Sequence, residues 1–179
     1  MPEIVKLTNP TAQDLWELRE IYFESSAKKD FKDAQDKEAF FQKYLGHYLL
    51  QFPDYVWVAR DDRILGYMVG SPITKDTTLY RLQPHLKAFE THFGDFPAHL
   101  HVNFHADARG MGLGSKLFLE LEKEFQQANI RGVHIMTGPD SQNKSFYRRL
   151  GFVYEVILEF QSSPILLMGK SLTDEVIES

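Results

Sequence analysis

Three glycines alternate with other residues in the run Arg109–Gly114, which separates a strand-like segment from an apolar-periodic helix. Glycine lets the main chain turn tightly and lets a ligand approach it closely. A helix start offers N–H groups without intrahelical partners and the positive end of the helix dipole. These features predict an anion-binding loop whose natural ligand is a diphosphate, with charge added by Lys116; an ordinary flexible turn is the alternative. The residues of this candidate site are Arg109, Gly110, Met111, Gly112, Leu113, Gly114 and Ser115.

Two familiar phosphate-binding patterns do not fit this loop. The nucleotide P-loop needs a glycine immediately before its lysine, but Ser115 precedes Lys116. The dinucleotide pattern G-x-G-x-x-G fails as well, because Ser115 stands where the third glycine belongs. The pattern that remains is R-x-x-G-x-G.

This remaining pattern resembles the coenzyme A signature of the GNAT superfamily of N-acetyltransferases, whose members typically read V-x-P-x-x-R-G-x-G-x-G. Here Phe104 replaces the Val and Ala106 the Pro, while Arg109 and the glycines are kept. A second stretch, Ser145–Phe152, resembles the family's F-Y-x-x-x-G-F ending. The run Phe96–Val102 is similar to a bacterial subgroup related to the acetyltransferase-like domain of O-GlcNAcases, in which some relatives have lost catalysis.

The resemblance implies acetyl-CoA as the acyl donor. It places the pyrophosphate on the glycine-rich loop and the pantetheine arm against the main chain of Phe104. The family often has an Asn seven residues before its Tyr; this chain has Asp140 there and Asn143 one helical turn later. We assign the pantetheine contact to Asn143.

Transfer to an amine needs a base and an acid. An amine with a pKa near 10 arrives protonated and must lose a proton before it attacks, and the departing thiolate needs a proton. The resemblance gives the role of acid to Tyr147. The alternative is a tyrosine that merely packs at a helix end.

Histidines on the strand before the loop are candidates for the base. Strand alternation puts His99, His101, Asn103 and His105 on one face, unless a bulge breaks the alternation. The pair His99 and His101 is similar to paired histidines in the arylalkylamine acetyltransferase branch, which help to remove the proton through water. We select His101 as the base, since histidine titrates near operating pH. The alternative is that these histidines lie on a half-exposed strand or bind backbone groups.

Other chemistries fit less well. Cysteine is absent, so the chain has no disulfide, no thiolate metal site and no cysteine nucleophile. The strand histidines have one acidic neighbour, Asp107, and we expect no metal. Ser115 follows the glycines at a helix start rather than in the elbow of a serine hydrolase.

The surrounding elements must position these residues. We expect a single domain over residues 1–179, with a lid-like insertion at 71–97 that contains three prolines and a short helix around Leu86–Phe93. Thr11 is expected to cap the first helix, and Asp140 to cap a short helix over Ser141–Leu150. The stretch Glu24–Lys37 is expected to be a solvated connection. A helix after it carries one apolar stripe of Phe40, Phe41, Tyr44, Leu45, Tyr48 and Leu49.

The order β-α-α-β-β-β-α-β-α-β-β predicts an α/β fold with a mixed central sheet flanked by helices. The GNAT resemblance implies that acyl-CoA lies where two parallel strands, Ala98–Phe104 and Val133–Thr137, splay apart. The acceptor is expected to enter from the opposite side, near Tyr22, Phe23 and the insertion.

The amino-acid composition argues against some classes of partner. A net charge of -5 argues against a nucleic-acid partner, which needs clustered lysine and arginine. The N-terminus lacks the apolar core of a signal peptide, and no apolar run approaches the roughly 20 residues of a membrane span, so a cytoplasmic protein is expected. Homodimers are common in such folds.

Two functions from different classes remain open. The first is an N-acetyltransferase that moves acetyl from acetyl-CoA to a small-molecule or peptide amine by direct attack in a ternary complex. The second is a catalytically inactive acyl-CoA-binding module that acts as a sensor or interaction domain. A transferase of larger acyl groups is a variant of the first.

Overall fold

The computed structural model describes residues 1–173. Seven strands form one sheet in the order β1-β2-β3-β4-β5-β7-β6. The strands are β1 (Glu3–Lys6), β2 (Val56–Arg60), β3 (Ile64–Ser71), β4 (Ala98–Phe104), β5 (Gly132–Thr137), β6 (Tyr154–Phe160) and β7 (Ser163–Ser171). The helices are α1 (Ala12–Ser25), α2 (Ala34–Phe41), α3 (His47–Gln51), α4 (Thr77–Leu82), α5 (Leu113–Gln127) and α6 (Lys144–Arg149).

The chain divides into two compact units. The first comprises residues 1–70 and 101–124, and the second comprises residues 71–100 and, within the described part, 125–173. Strand β4 contributes residues to both. The prediction of one domain with a lid stays a prediction.

In the first unit, β1 pairs antiparallel with β2, and β2 with β3. Helix α1 begins at the predicted cap, because the Thr11 side chain accepts the N–H of Asp14 at 3.1 Å. The Asp14 carboxylate accepts the N–H of Thr11 in return, at 2.8 Å. This reciprocal capping box satisfies two N–H groups at the start of the helix.

The expected solvated connection over Glu24–Lys37 is corrected at both ends, because α1 continues to Ser25 and α2 begins before Lys37. Helix α2 already begins at Ala34, because the side chain of Asp33 accepts the N–H of Asp36 at 2.8 Å. The helix that follows is not a regular α-helix throughout: a π-helical turn, Gln42–Gly46, separates α2 from α3.

In the second unit, β4 and β5 run parallel, and their pairing comprises Ala98 with Val133 and His99 with His134. These are the first two residues of β4, as expected for a pair of strands that separates further on. Strand β7 pairs antiparallel with both β5 and β6. The predicted mixed sheet with flanking helices is therefore confirmed.

The segment proposed as an insertion is packed against the strands of its unit, with Phe93 stacked on His134 and the ring of Phe96 against Gly132 and Gly169. It contains α4 and a 3₁₀ helix over Pro84–Gly94, which covers the short helix expected there. Its buried apolar side chains are Leu79, Leu86, Phe89, Phe93 and Phe96. Burial of this many large side chains stabilises the segment as packed structure rather than as an open loop.

Helix α6 is shorter than predicted. The N–H of Ser141 donates to the carbonyl of Gly138 in a separate turn, so the helix starts after Asn143 instead of after Asp140. Gly151 ends it with a φ of 92°, as expected for the glycine after a helix. Among the described residues, no helix is long and apolar enough to cross a lipid bilayer.

Candidate functional site

The glycine-rich loop has the backbone that its sequence predicts. Gly110 and Gly112 adopt φ angles of 80° and 73°, a left-handed conformation that other residues rarely take. A Cβ built on either glycine would have no atom within 4 Å. The main chain is therefore open to approach at both positions, which is what a ligand bound to backbone N–H groups requires.

Helix α5 starts at Leu113, inside the predicted loop, and runs for 15 residues. Leu113 and Gly114 are buried, so they anchor the helix start. Met111, Ser115 and Lys116 are exposed beside it, as is Arg109 before it. Two basic side chains and a helix N-terminus together form a surface suited to an anionic group. The loop thus has the donors and charge that a diphosphate needs.

Phe104, at the end of β4, makes contacts through both its ring and its main-chain carbonyl. Its ring lies over Gly66 of β3, where a Cβ would come within 2.0 Å of the ring. Its carbonyl accepts the hydroxyl of Ser25, the last residue of α1, at 3.1 Å. A residue larger than glycine at position 66 would displace the ring.

His101 lies against two tyrosines. The hydroxyl of Tyr48 is 3.0 Å from Nε2 of His101, and the two rings meet edge to face with centroids 5.0 Å apart. The ring of Tyr44 makes a second edge-to-face contact at 5.7 Å. Tyr48 is fully buried. These contacts fix both the plane of the imidazole and the partner of one of its nitrogens.

His105 pairs with a carboxylate. Its Nδ1 is 2.5 Å from one oxygen of Glu24, whose other oxygen accepts the N–H of Ala106 at 3.1 Å. The hydrogen bond from His105, followed by that from Ala106, holds the pKa of Glu24 below its ordinary value. Glu24 at the end of α1 is therefore hydrogen-bonded to the residues that precede the glycine-rich loop.

His99 belongs to the second unit, where it is buried. Its Nδ1 lies 2.7 Å from the hydroxyl of Thr74, and that hydroxyl donates to the carbonyl of Pro97 at 2.8 Å. Since the hydroxyl hydrogen is used on the carbonyl, Nδ1 of His99 must carry the proton that Thr74 accepts. The predicted pair of histidines therefore has two different environments.

Each of the three strand histidines contacts a different side chain. His99, His101 and His105 contact Thr74, Tyr48 and Glu24 respectively. Within residues 1–173, no group of three or more metal-ligating side chains is present.

Tyr147 lies in α6 of the second unit and is buried, with its ring against those of Phe146 and Phe152. Burial raises the pKa of its hydroxyl. No hydrogen bond of this hydroxyl is found within residues 1–173. The side chain of Asn143 accepts the hydroxyl of Thr137 at 3.1 Å, so Asn143 is attached to the end of β5.

The predicted site residues are divided between the two compact units. Phe104, His101 and the loop Arg109–Ser115 belong to the first unit, and Asn143 and Tyr147 to the second. Sequence reasoning missed Tyr48, which fits a core position in the apolar stripe, and Glu24, which begins a charged stretch. Alternation along β4 could have pointed to polar partners for its histidines, but not to which ones.

Similar folds occur among solved structures of low sequence identity. The structure named SsHAT is 18% identical, with 97% of this chain and 99% of that chain covered and a TM-score of 0.73. An N-acetyltransferase from Staphylococcus aureus Mu50 is 12% identical, with 97% and 99% covered and a TM-score of 0.62. The NatC complex bound to Gag peptide and CoA is 12% identical, with 96% and 99% covered and a TM-score of 0.65.

No curated protein matches the sequence at a significant level. A family model does: that of the acetyltransferase (GNAT) domain matches residues 53–154. This segment contains β2 to α6, and with them the glycine-rich loop and Tyr147. The match to the family model covers more than half of the 179 residues. The chain therefore belongs to the GNAT acetyltransferase family.

Proposed function

We propose that this chain is an N-acetyltransferase that moves the acetyl group of acetyl-CoA to a small-molecule or peptide amine by direct attack in a ternary complex. One observation carries the proposal. Gly110 and Gly112 hold a left-handed backbone with open space at their Cβ positions, directly before α5. This geometry suits the pyrophosphate of coenzyme A, and membership of the GNAT family supports that ligand over other diphosphates.

The donor would be bound by the main chain and by exposed cations. The N–H groups from Gly110 to Ser115 would donate to the anion, and the exposed Arg109 and Lys116 would add positive charge. The main chain of Phe104 and the side chain of Asn143 are proposed for the pantetheine arm. The NatC structure, which contains CoA, offers a solved example of a similar fold with this ligand.

His101 is the proposed base. The protonated acceptor loses a proton to the imidazole, directly or through one water, and its nitrogen then attacks the thioester carbonyl. His101 suits this step because an imidazole exchanges protons near neutral pH and because Tyr44 and Tyr48 fix its position.

Tyr147 is the proposed acid. As the C–N bond forms and the C–S bond breaks, its hydroxyl donates a proton to the departing thiolate. The nitrogen then loses its second proton, which passes through water to restore the phenol. Burial keeps this hydroxyl protonated, because it raises the pKa. A phenol without a hydrogen-bond partner in the described residues can direct its proton to a ligand.

Direct transfer is preferred over a covalent acyl-enzyme. The sequence contains no cysteine, and Ser115 stands in the first turn of α5 without an adjacent base among its described contacts. An activated nucleophile needs such a base within hydrogen-bond reach.

Calorimetry with acetyl-CoA tests the proposal, with NAD and ATP as controls. We expect micromolar binding of acetyl-CoA and much weaker binding of both controls. A screen of amines, with free CoA thiol as the readout, then tests transfer. Absence of acetyl-CoA binding would contradict the donor assignment, and selective binding without transfer to any amine would favour the inactive binding module.

A further inference from the structure

Glu24 lies in the last turn of α1, where a carboxylate is at the negative end of the helix dipole and is locally disfavoured. Both of its oxygens are nevertheless used. One lies 2.5 Å from Nδ1 of His105, and the other accepts the N–H of Ala106. These two hydrogen bonds offset the unfavourable position on the helix. All three residues belong to the first unit, as does the glycine-rich loop.

The direction of the hydrogen bond between Glu24 and His105 is set by the carboxylate. An ionised carboxylate has no hydrogen and can only accept. The pKa of Glu24 is lowered, first by the hydrogen bond from His105, so this group is ionised at neutral pH. Nδ1 of His105 must therefore carry a proton. In the neutral imidazole the lone pair is then on Nε2, for which no partner is found within residues 1–173.

His105 is the side chain of this region that can change its charge near neutral pH. The other charged groups bound to its neighbours, or acting on them, come from the end of α1, the turn after β2 and the chain before the glycines. They are Glu24, Lys29, Arg63, Asp107 and Arg109. Carboxylates, lysines and arginines ordinarily keep their charge between about pH 5 and 8, whereas histidine titrates there. The imidazole is 15% exposed, so a proton from solvent can reach it.

The glycine-rich loop begins close to this imidazole. The residues between His105 and Arg109 form a 3₁₀ turn, Ala106–Ala108, which advances only about 2 Å per residue. The Arg109 guanidinium contributes to the lowered pKa of Glu24, so charge on the loop acts on the pair. An anion about 10 Å from an imidazole favours its charged form by about tenfold at an effective dielectric constant of about 20. An anion on the loop therefore favours the imidazolium.

We propose that the Glu24–His105 pair is a proton-linked part of the donor site, in which His105 takes up a proton on Nε2 when a phosphate-bearing donor binds to the glycine-rich loop. This inference rests on the proposed binding of acetyl-CoA to that loop. The step forms one Nε2–H bond with a proton from solvent, and no other bond changes. The imidazolium keeps its Nδ1–H on Glu24, so a positive charge is added near the anion without loss of the contact with α1.

Proton uptake and donor affinity must change together. By linkage, the factor by which the donor favours protonated His105 is also the factor by which protonated His105 favours the donor. Acetyl-CoA should therefore bind about tenfold more tightly below the titration of His105 than above it. His105→Asn removes this part of the pH dependence, because the asparagine amide can donate to Glu24 but cannot take up a proton.

Calorimetry of acetyl-CoA binding in two buffers of different ionisation enthalpy counts the protons taken up. Over the range of about pH 6 to 8, we expect the unaltered chain to take up at most about half a proton more than His105→Asn, as a tenfold shift in one protonation equilibrium requires. Phosphate groups of the donor can also exchange protons, but they contribute equally to both proteins. Equal proton uptake in the two proteins would overturn the proposal.

His92→Asn is the matched control. Nδ1 of His92 lies 2.9 Å from the hydroxyl of Tyr154, and both residues belong to the second unit. The control thus replaces a histidine that has a comparable contact but no link to the glycine-rich loop along the chain. We expect its proton uptake to match that of the unaltered chain. An equal loss of uptake in both variants would assign the effect to a general change in the fold and overturn the role of His105.

Nitrogen NMR of His105 separates this inference from the proposed function. In the ligand-free chain we expect the proton of the neutral ring on Nδ1, and a neutral ring with its proton on Nε2 would overturn the proposal. Inorganic pyrophosphate, as a second probe, should move the titration of His105 to higher pH. If acetyl-CoA does not bind, the donor assignment fails, and the response to pyrophosphate still decides the role of the pair. An unmoved titration would overturn it.

Discussion

The carboxylate of Glu24 lies 2.5 Å from Nδ1 of His105, and its second oxygen accepts the N–H of Ala106. Ser25, the next residue of α1, donates to the carbonyl of Phe104. Three consecutive residues at the end of β4 are thus bound to two consecutive residues at the end of α1. These hydrogen bonds fix the position of the main chain where the glycine-rich loop begins.

Glu24→Gln should lower the free energy of unfolding by an amount that depends on pH. The folded-state pKa of Glu24 is lowered, so its carboxylate contributes stability that is present above its unfolded pKa and lost as pH falls through the folded pKa. We expect a difference below about 1 kcal/mol at neutral pH, because the side chain is 42% exposed and screened by solvent. The difference should begin to shrink near the ordinary pKa of a glutamate, about 4.3, and should vanish only below the lowered folded-state pKa.

Denaturant unfolding of both proteins between pH 3 and 7 measures this effect. Glu20→Gln, an exposed change on the same helix, is the control and should show no such trend. Equal trends in the two variants would assign the effect to net charge instead of to the His105 contact.

Gly112→Ala should weaken acetyl-CoA binding. At a φ of 73°, a residue with a Cβ costs about 1–2 kcal/mol, and relief of that strain moves the loop. We expect calorimetry to show an increase in Kd of about tenfold. Gly94→Ala is the control, because Gly94 also has open space at its Cβ position but no positive φ. Unchanged affinity in Gly112→Ala would remove the loop from the donor site.

Tyr147→Phe should separate turnover from binding. Loss of the proton donor is expected to lower kcat by about a hundredfold, while the Kd for acetyl-CoA changes little. Tyr154→Phe, the same substitution in the same unit, removes a hydroxyl that lies 2.9 Å from His92 and should leave kcat unchanged. If Tyr147→Phe transfers acetyl at the normal rate, Tyr147 is not the acid.

Thr74→Val should destabilise the second unit. It removes the hydroxyl that accepts from Nδ1 of His99 and donates to Pro97, and it leaves a buried N–H without that acceptor. We expect a loss of about 1–3 kcal/mol in the free energy of unfolding, measured with denaturant. Thr74→Ser keeps the hydroxyl and should lose less; equal losses would point to packing rather than to the hydrogen bonds.

Local patterns predicted the elements that local chemistry determines. The strand predicted over Ala98–Phe104, directly before the glycine-rich loop, has the bounds of β4. Thr11 is predicted as a cap from its place between a turn and the apolar periodicity of α1, and its hydrogen bond to Asp14 spans only three residues. The turn at Gly151 follows from the freedom of glycine at positive φ.

Contacts between residues far apart in sequence could not be predicted from local patterns. The apolar stripe around Tyr44 fits an α-helix as well as a helix with a π turn, so periodicity did not reveal Gln42–Gly46. Tyr48 and His101 are 53 residues apart in sequence, and only the tertiary fold brings the hydroxyl to the imidazole. The partners of the strand histidines, and with them their different roles, therefore emerged from the structure.

The place of β5 in the second unit has a consequence for biosynthesis. One neighbour of β5 is β4, made before it, and the other is β7, the last strand of the described chain. When β5 first leaves the ribosome, Ser163–Ser171 is still inside the exit tunnel, so one edge of β5 is open to other chains during that interval. The hairpin that closes it turns at Gln161 and Ser162, both with positive φ, and hairpins form within microseconds. Translation speed over the C-terminal hairpin, rather than its folding rate, would therefore set how long nascent chains are exposed to aggregation.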